Sequence, residues 1–339
     1  MKPGSLRNGL TLLLLIIGTA AAEQPASYDS GISQFIQEMS SKHGFDQTIL
    51  KELMDNAKYR QKIIDAISKP AEGMAWKKYR PIFVTESRAK QGMEFWNNNE
   101  QLLNRAKEQY GVPPEIIVAI IGVETRYGRH AGTYPVLDAL STLAFGYPKR
   151  GDFFRSQLEE FLLLTREEEV DPVSAKGSYA GALGQPQFIP SSYRSYAVDF
   201  DNDGRRDLWH SNADVIGSVA AYFKRHHWQQ NDPVTLQVND VTKIHKHYIE
   251  AGMKPSIELG SLRASGLFID QTLADNTLTS LIELESDGGN EYWLGLHNFY
   301  VITRYNHSNL YAMAVYQLSR EIMAQYKAGK NQWQAEPGA

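Results

Sequence analysis

Residues 113–128 read Pro-Pro-Glu-Ile-Ile-Val-Ala-Ile-Ile-Gly-Val-Glu-Thr-Arg-Tyr-Gly. The paired prolines suit a helix start, because proline lacks only a first-turn N–H that no helix uses and its fixed φ is already helical. From Ile116 to Val123 the segment is apolar on nearly every side, and a helix apolar all round is a buried one. The run from Pro114 to Val123 therefore forms the spine of the main domain, and Gly128 is its expected stop. Its one acid after Glu115 is Glu124.

Helical spacing extends on both sides of this spine. Upstream, Ile32, Phe35 and Ile36, then Ile49 and Leu53, then Ile63, Ile64 and Ile67 recur at three- and four-residue intervals between Gly31 and about Tyr110. Downstream, the pattern returns from Phe153 to Thr165, from Ile216 to His226, and from about Asn309 to Gln325, where Ala312, Val315 and Leu318 form a stripe. Between Trp228 and Leu296 the texture alternates: Val234–Val238 and Leu278–Leu284 read as strands, and Asp287-Gly-Gly-Asn290 as a hairpin turn into Tyr292–Leu296. The predicted class is mainly α with a small inserted mixed β subdomain.

The chain has 339 residues, 42% apolar and 22% charged, enough for two or three domains with a substantial core. Lys2 and Arg7 precede an apolar run from Leu10 to Gly18 that ends in Ala20-Ala-Ala22, the pattern of a secretory signal peptide over residues 1–22. A membrane anchor is the alternative, but the run is shorter than the roughly 20 residues a spanning helix needs. With no cysteine in the chain, neither a lipid on a lipobox thiol nor a disulfide can form. Without residues 1–22 the chain keeps 33 basic against 39 acidic residues, a net charge of −6 that offers no nucleic-acid surface.

Three constellations carry chemistry. Glu124 ends a continuous apolar run, and a carboxyl desolvated there has its charged form disfavoured and its pKa raised, as a general acid near neutral pH requires. The structural alternative is an ion pair with Arg126, Arg129 or another cation. The stretch Gly177-Ser-Tyr-Ala-Gly-Ala-Leu-Gly-Gln-Pro-Gln-Phe-Ile-Pro-Ser-Ser-Tyr193 lets backbone approach a ligand closely. Ser178, Gln185 and Gln187 supply donors and acceptors suited to sugar hydroxyls and acetamido groups, and Tyr179 and Phe188 supply rings that either stack on a pyranose or fill core. A tight structural loop would use the same residues. The third is Asp199-Phe-Asp-Asn-Asp-Gly-Arg-Arg-Asp-Leu-Trp209. Asp199, Asp201, Asp203 and Asp207 occupy positions 1, 3, 5 and 9 of an EF-hand calcium loop, Arg205 the backbone-ligand position 7, and glycine position 6. His210 stands where glutamate is expected at position 12, and Asp214 is placed to substitute for it. An all-oxygen donor set favours Ca²⁺.

With these residues in view, the chain resembles the B-type lytic transglycosylases, relatives of the lysozyme-like enzymes, over nearly all its length. The resemblance rests on Tyr79-Arg-Pro-Ile-Phe83, Gly122-Val-Glu-Thr-Arg-Tyr-Gly128, the Gly177–Gln185 stretch, the Asp-rich loop and Thr303-Arg-Tyr-Asn-His-Ser-Asn-Leu-Tyr311. It implies an N-terminal helical domain at 23–110, a lysozyme-like catalytic core at 111–230 carrying the calcium loop at 199–214, a small β domain at 231–298, closing core helices at 299–330 and a tail at 331–339. It also implies Glu124 as single acid and base, with Tyr79, Lys149, Arg150, Ser178, Gln187, Tyr222, Tyr305, Asn306 and Tyr311 along a glycan groove. Lys149 departs from the expected arginine and loses its bidentate fork.

The implied activity is non-hydrolytic cleavage of peptidoglycan between N-acetylmuramic acid and N-acetylglucosamine, giving 1,6-anhydro ends. The implied setting is the periplasm, with Ca²⁺ as a structural ion, no organic cofactor, and cell-wall synthesis proteins as further partners. Two alternatives stay open: a lysozyme-type hydrolase using a second carboxylate such as Asp138, and a non-catalytic peptidoglycan-binding protein.

Overall fold

A computed structural model describes residues 25, 27–69, 74–238, 246–267 and 273–335. The predicted signal segment, 1–22, lies outside them, as does the end of the tail. Six helices come first: α1 (Ser27–His43), α2 (Gln47–Asp55), α3 (Gln61–Ile67), α4 (Trp76–Phe83), α5 (Glu86–Asn98) and α6 (Glu100–Tyr110). Then follow α7 (Pro114–Thr125), β1 (Tyr134–Pro135), α8 (Val136–Gly146), α9 (Gly151–Glu167), β2 (Lys176–Gly177), α10 (Pro190–Tyr196) and α11 (Asn212–Arg225). The remainder is β3 (Thr235–Val238), α12 (Lys246–Glu250), β4 (Ile257–Glu258), α13 (Leu259–Ala264), β5 (Leu278–Ser286), β6 (Gly289–Gly295), α14 (His297–Tyr305) and α15 (Asn309–Ala335). The protein is mainly α, with a small antiparallel sheet in the order β3-β6-β5-β4.

Local chemistry explains the element ends. Asp46 caps α2 by accepting from the N–H groups of Thr48 and Ile49, Thr85 caps α5 through Arg88, and Ser211 caps α11 through Asp214. Gly111, at φ 75°, stops α6 in the left-handed conformation that glycine adopts without strain. Ser286 pairs directly with Gly289, so the hairpin turns on Asp287-Gly288 alone, two residues tighter than the sequence reading.

α7 is the axis of the molecule. Ten of its twelve residues are buried, and the exceptions are its two glutamates, Glu115 and Glu124. It packs against α5, α6, α11 and α15, and each fully buried isoleucine contributes about 1.5–3 kcal/mol relative to exposure. Gly122 permits one close approach: a Cβ there would lie 2.6 Å from the Tyr127 hydroxyl and 2.7 Å from Cζ of its ring. α8 escaped the periodicity reading because it is buried over all its first eight residues, so no polar face marks it.

The sheet has a hydrophobic cluster of its own, formed by Val238, Ile257, Leu259, Leu262, Leu267, Leu281 and Leu294. The other face of the β5–β6 hairpin, at Ile282, Leu284 and the partly buried Trp293, joins the main core. Among the described residues no helix is long and apolar enough to cross a membrane.

Candidate active site

The chain reverses sharply where α7 ends, earlier than the predicted stop at Gly128. Arg126 and Tyr127 are both left-handed, at φ 52° and 61°, and Arg126 is the cap. Non-glycine residues in that region each cost of order 1–3 kcal/mol and persist only where the surroundings fix them. Here Arg126 donates to Gln91 Oε1 and Ser87 Oγ, the Tyr127 hydroxyl donates to the Arg88 carbonyl, and Arg88 donates to the Gly122 carbonyl. α5 thus clamps the turn that presents Glu124.

Glu124 keeps part of its side chain open, while its carboxyl is densely enclosed by protein. Burial pushes its pKa up to about 7, and a hydrogen bond from the Tyr311 hydroxyl, 2.5 Å to Oε1, opposes the rise. No ion pair reaches it among the described residues, so the structural alternative of a pairing with Arg126 fails: that guanidinium is spent on Gln91 and Ser87.

Tyrosines gather around this acid. Tyr305 lies parallel to Tyr311, ring centroids 6.5 Å apart at 11°, and its hydroxyl donates to the Pro186 carbonyl at 2.6 Å. Tyr222 meets Tyr305 edge-on at 4.8 Å and donates to the Arg304 carbonyl. Burial first, and the Glu124 charge second, raise the phenols of Tyr79, Tyr305 and Tyr311, which places all three within electrostatic range of the acid. Tyr311 and Tyr222 are turned inward, 2% and 7% exposed, so they hold the acid and its neighbour rather than offering open rings.

The Gly177–Tyr193 stretch forms the adjoining wall. Ser178 Oγ accepts from the N–H groups of Ala180 and Ala182, leaving its proton free to donate. Gln187, left-handed at φ 52°, donates through its side-chain amide to the carbonyls of Ala131 and Gly184, and its side-chain oxygen has no hydrogen-bond donor among the described residues. Phe188 is core, whereas Tyr179 is 40% exposed. Asn306 is exposed just beyond α14. Lys149 and Arg150 stand exposed at the start of α9, where Arg150 covers Phe153 at 4.3 Å. No hydrogen bond, ion pair or ring contact joins that pair to the Glu124 cluster among the described residues.

One residue the sequence reading did not cast structurally is Thr125. Its hydroxyl donates to the Gln185 carbonyl and accepts from Gly128 N–H, tying the acid's own turn to the glycine-rich wall. Gln185 continues the link through its amide to Asn212 and its backbone N–H to Leu208. Asp138, the alternative second carboxylate, is 4% exposed; it accepts from Lys58 N–H at 2.9 Å and from Arg60 Nε at 2.6 Å. Both oxygens are occupied in fastening α8 to the segment before α3.

In the acidic loop, carboxylate oxygens of Asp199, Asp201 and Asp203 lie within 4.8 Å of one another, a donor set that fits a hard cation. Asp207 and Asp214 lie outside that group. Asp214 is buried and accepts from Phe200 N–H on one oxygen and from Asp207 N–H on the other, which closes the loop from within, and the Asp201 and Asp199 carboxylates lie within electrostatic range of it. Asp207 caps the next turn through Trp209 and His210 N–H, and the Arg205 guanidinium pairs with Glu169.

An acid held half-protonated at neutral pH, ringed by phenols and walled by a glycine-rich loop, is the constellation found, and residues 27–320 match the family described as Transglycosylase SLT domain. The chain belongs to that family. It is 46% identical over 299 residues to the membrane-bound lytic murein transglycosylase B of Escherichia coli (strain K12), covering 85% of this chain and 81% of that protein. The soluble lytic transglycosylase SltB1 of Pseudomonas aeruginosa is 51% identical, with a TM-score of 0.80 over 87% of this chain and 98% of that one. The Escherichia coli lytic transglycosylase Slt35, solved in complex with calcium, is 46% identical with a TM-score of 0.81, covering 87% and 93%.

Proposed function

We propose that this protein is a lytic transglycosylase that cleaves the β-1,4 bond between N-acetylmuramic acid and N-acetylglucosamine in peptidoglycan. The observation that carries the reading is a single enclosed carboxyl, Glu124, poised near pH 7, on which burial and the Tyr311 hydroxyl are the influences found among the described residues, with no second carboxylate acting on it. Most glycosidases use two carboxylates, but substrate-assisted enzymes need one. Glu124 donates its proton to the glycosidic oxygen as the C1–O bond breaks, and the substrate's acetamido oxygen stabilises the cation at C1. Glu124, now a carboxylate steadied by the Tyr311 hydroxyl, takes the proton of the muramoyl C6 hydroxyl as that oxygen bonds to C1. The ring closes as a 1,6-anhydro sugar, no water is consumed, and the acid is regenerated.

Tyr79, Tyr305, Ser178 and Gln187 hold the glycan beside Glu124, with Tyr222 and Tyr311 buttressing them, Asn306 adding a polar contact and Lys149 and Arg150 reaching a more distant part of the strand. Asp199, Asp201 and Asp203 would hold a calcium ion, with the Arg205 carbonyl, Asp207 and Asp214 completing the shell; the ion's contribution there is structural. The division at residues 110, 230 and 298, export by the 1–22 signal, a periplasmic setting, and association with cell-wall synthesis proteins complete the proposal.

Mass spectrometry of muropeptides released from purified sacculi tests it. Anhydro ends, lighter than reducing ends by one water, are expected; reducing ends alone would make the protein a hydrolase, and no release would leave it a binding protein.

A further inference from the structure

The phenol of Tyr127, three residues past Glu124, lies in a slot made by two glycines. A Cβ at Gly92 on α5 would stand 2.5 Å from the Tyr127 hydroxyl oxygen, and one at Gly122 on α7 would stand 2.6 Å from the same atom. Any side chain at either position would have to push the ring aside. The ring stacks on Phe95, centroids 5.7 Å apart at 29°, and the hydroxyl donates to the Arg88 carbonyl at 2.8 Å. Arg88, Gly92 and Phe95 follow one another at i, i+4 and i+7, so a single face of α5 receives the whole side chain.

The same residue closes the end of α7 through its backbone. Tyr127 N–H donates to the Ile121 carbonyl at 3.2 Å and Arg126 N–H to the Gly122 carbonyl at 3.1 Å, and the Arg88 guanidinium donates to that same Gly122 carbonyl at 3.0 Å. Glu124 belongs to the turn these bonds close. Tyr127 is held at φ 61°, where a bulky residue is an outlier that persists only when its surroundings over-determine it. The slot supplies that constraint, and a chain released from it would relax toward negative φ and turn the end of α7 with it. Across the site the Tyr311 hydroxyl meets Glu124 Oε1 at 2.5 Å, a bond whose geometry tolerates little rotation of the acid's turn.

We propose that Tyr127 is a positioning residue for Glu124: wedged between Gly92 and Gly122 and tied to α5, it sets the direction in which the end of α7 presents the acid to Tyr311 and the glycan. The inference rests on Glu124 as the acid and base of the reading above. Burial raises the phenol's pKa against the pull of Arg88, Arg126 and Arg129, so Tyr127 stays a neutral donor and takes no part in proton transfer. Around the carboxyl stand the phenols of Tyr79, Tyr305 and Tyr311. A misdirected Glu124 gains solvent, and with it loses the burial that raises its own pKa.

Tyr127→Phe, which keeps the ring in its slot and removes the bond to Arg88, tests the proposal in steady-state kinetics on soluble peptidoglycan strands. A fall in kcat of roughly tenfold or more is expected, with KM within about twofold of wild type, because a misplacement of about 1 Å is enough to cost a hundredfold. The alkaline limb of kcat/KM against pH moves to lower pH as the carboxyl recovers solvent. Gly122→Ala, which drives a methyl into the phenol while improving the helix propensity of α7, is expected to lose more turnover than Tyr127→Phe. Wild-type kcat with an unmoved pH limb in Tyr127→Phe, whatever its melting temperature, would reduce Tyr127 to core packing and overturn the proposal, as would full turnover in Gly122→Ala. Failure of the reading beneath it registers separately, as Glu124→Gln protein that still turns over sacculi.

Discussion

The Tyr311 hydroxyl donates to Glu124 Oε1 at 2.5 Å, joining the first turn of α15 to the last turn of α7 across 187 residues of chain. A hydrogen bond to the charged form of an acid favours that form, so Tyr311 restrains the rise that burial imposes on Glu124. Both states of the carboxyl are thereby accessible near neutrality, as an acid that must become a base requires.

Tyr311→Phe separates the two influences. Loss of the phenol leaves burial unopposed, so the pKa of Glu124 rises further and the alkaline limb of kcat/KM against pH moves upward. Hydrogen bonds to charged groups contribute about 1.5–3 kcal/mol, so kcat is expected to fall roughly 10- to 100-fold as the carboxylate step loses its donor. A limb that stays in place or moves down would show that Tyr311 does not govern this carboxyl.

Glu124→Gln trades activity for stability in a pH-dependent way. The wild-type acid is protonated below about pH 7 in the folded protein but only below about 4.5 when unfolded, so the folded state binds the extra proton between those values. Stability from this group is full below the unfolded pKa, declines above it, and is lost by the time pH passes the folded pKa. The glutamine carries no such loss. Turnover on sacculi is expected to vanish, while the unfolding free energy of the variant, read from denaturant midpoints, gains on wild type as pH rises from 5 to 8, by a few kcal/mol at most. In the wild type, kcat/KM falls as pH rises above about 7, where the acid form is depleted.

Sequence reasoning was strongest where hydrophobic pattern and burial coincide. The Pro114–Val123 spine, the acid at its end and the alternating β segment were legible because apolar runs and period-two alternation are direct imprints of burial. α8 was not legible, since Asp138, Ser141 and Thr142 are buried among its apolar residues, so it shows neither a polar face nor the unbroken apolar run that marks α7. Nor was the helix stop at Arg126: a non-glycine residue held left-handed by Gln91, Ser87 and Arg88 depends on α5, which no local rule contains. Asp214 and Asp138 read as free carboxylates in sequence because their partners, backbone N–H groups and an arginine distant in the chain, appear only on folding.

Asp138→Asn distinguishes a structural carboxylate from a catalytic one. Its oxygens accept from Lys58 N–H and Arg60 Nε, so the substitution removes a charge-assisted bond and is expected to cost about 1–3 kcal/mol in denaturant unfolding. The folded fraction should keep its specific activity and its anhydro products, whereas a hydrolase depending on this residue would lose turnover by orders of magnitude.

The calcium loop offers a test in which chemistry plays no part. Asp199, Asp201 and Asp203 converge, yet Asp199 accepts from Asp203 and Gly204 N–H, and Asp203 accepts from Arg205 N–H, so two of the three also shape the loop. Asp201 accepts only a hydroxyl, that of Ser211, and is exposed. Asp201→Asn should therefore leave the melting temperature in chelator unchanged while blunting the rise produced by added Ca²⁺. A ligand at 100 times its Kd stabilises the folded state by about 2.7 kcal/mol, enough to move the wild-type midpoint by several degrees in differential scanning calorimetry. The loop is continuous with Leu208 and Asn212, which hold Gln185 and through it Thr125, so calcium should also slow amide exchange of the Gln185 segment. A midpoint indifferent to both chelator and Ca²⁺ would mean that the loop's own hydrogen bonds, closed by Asp214, are sufficient to hold it.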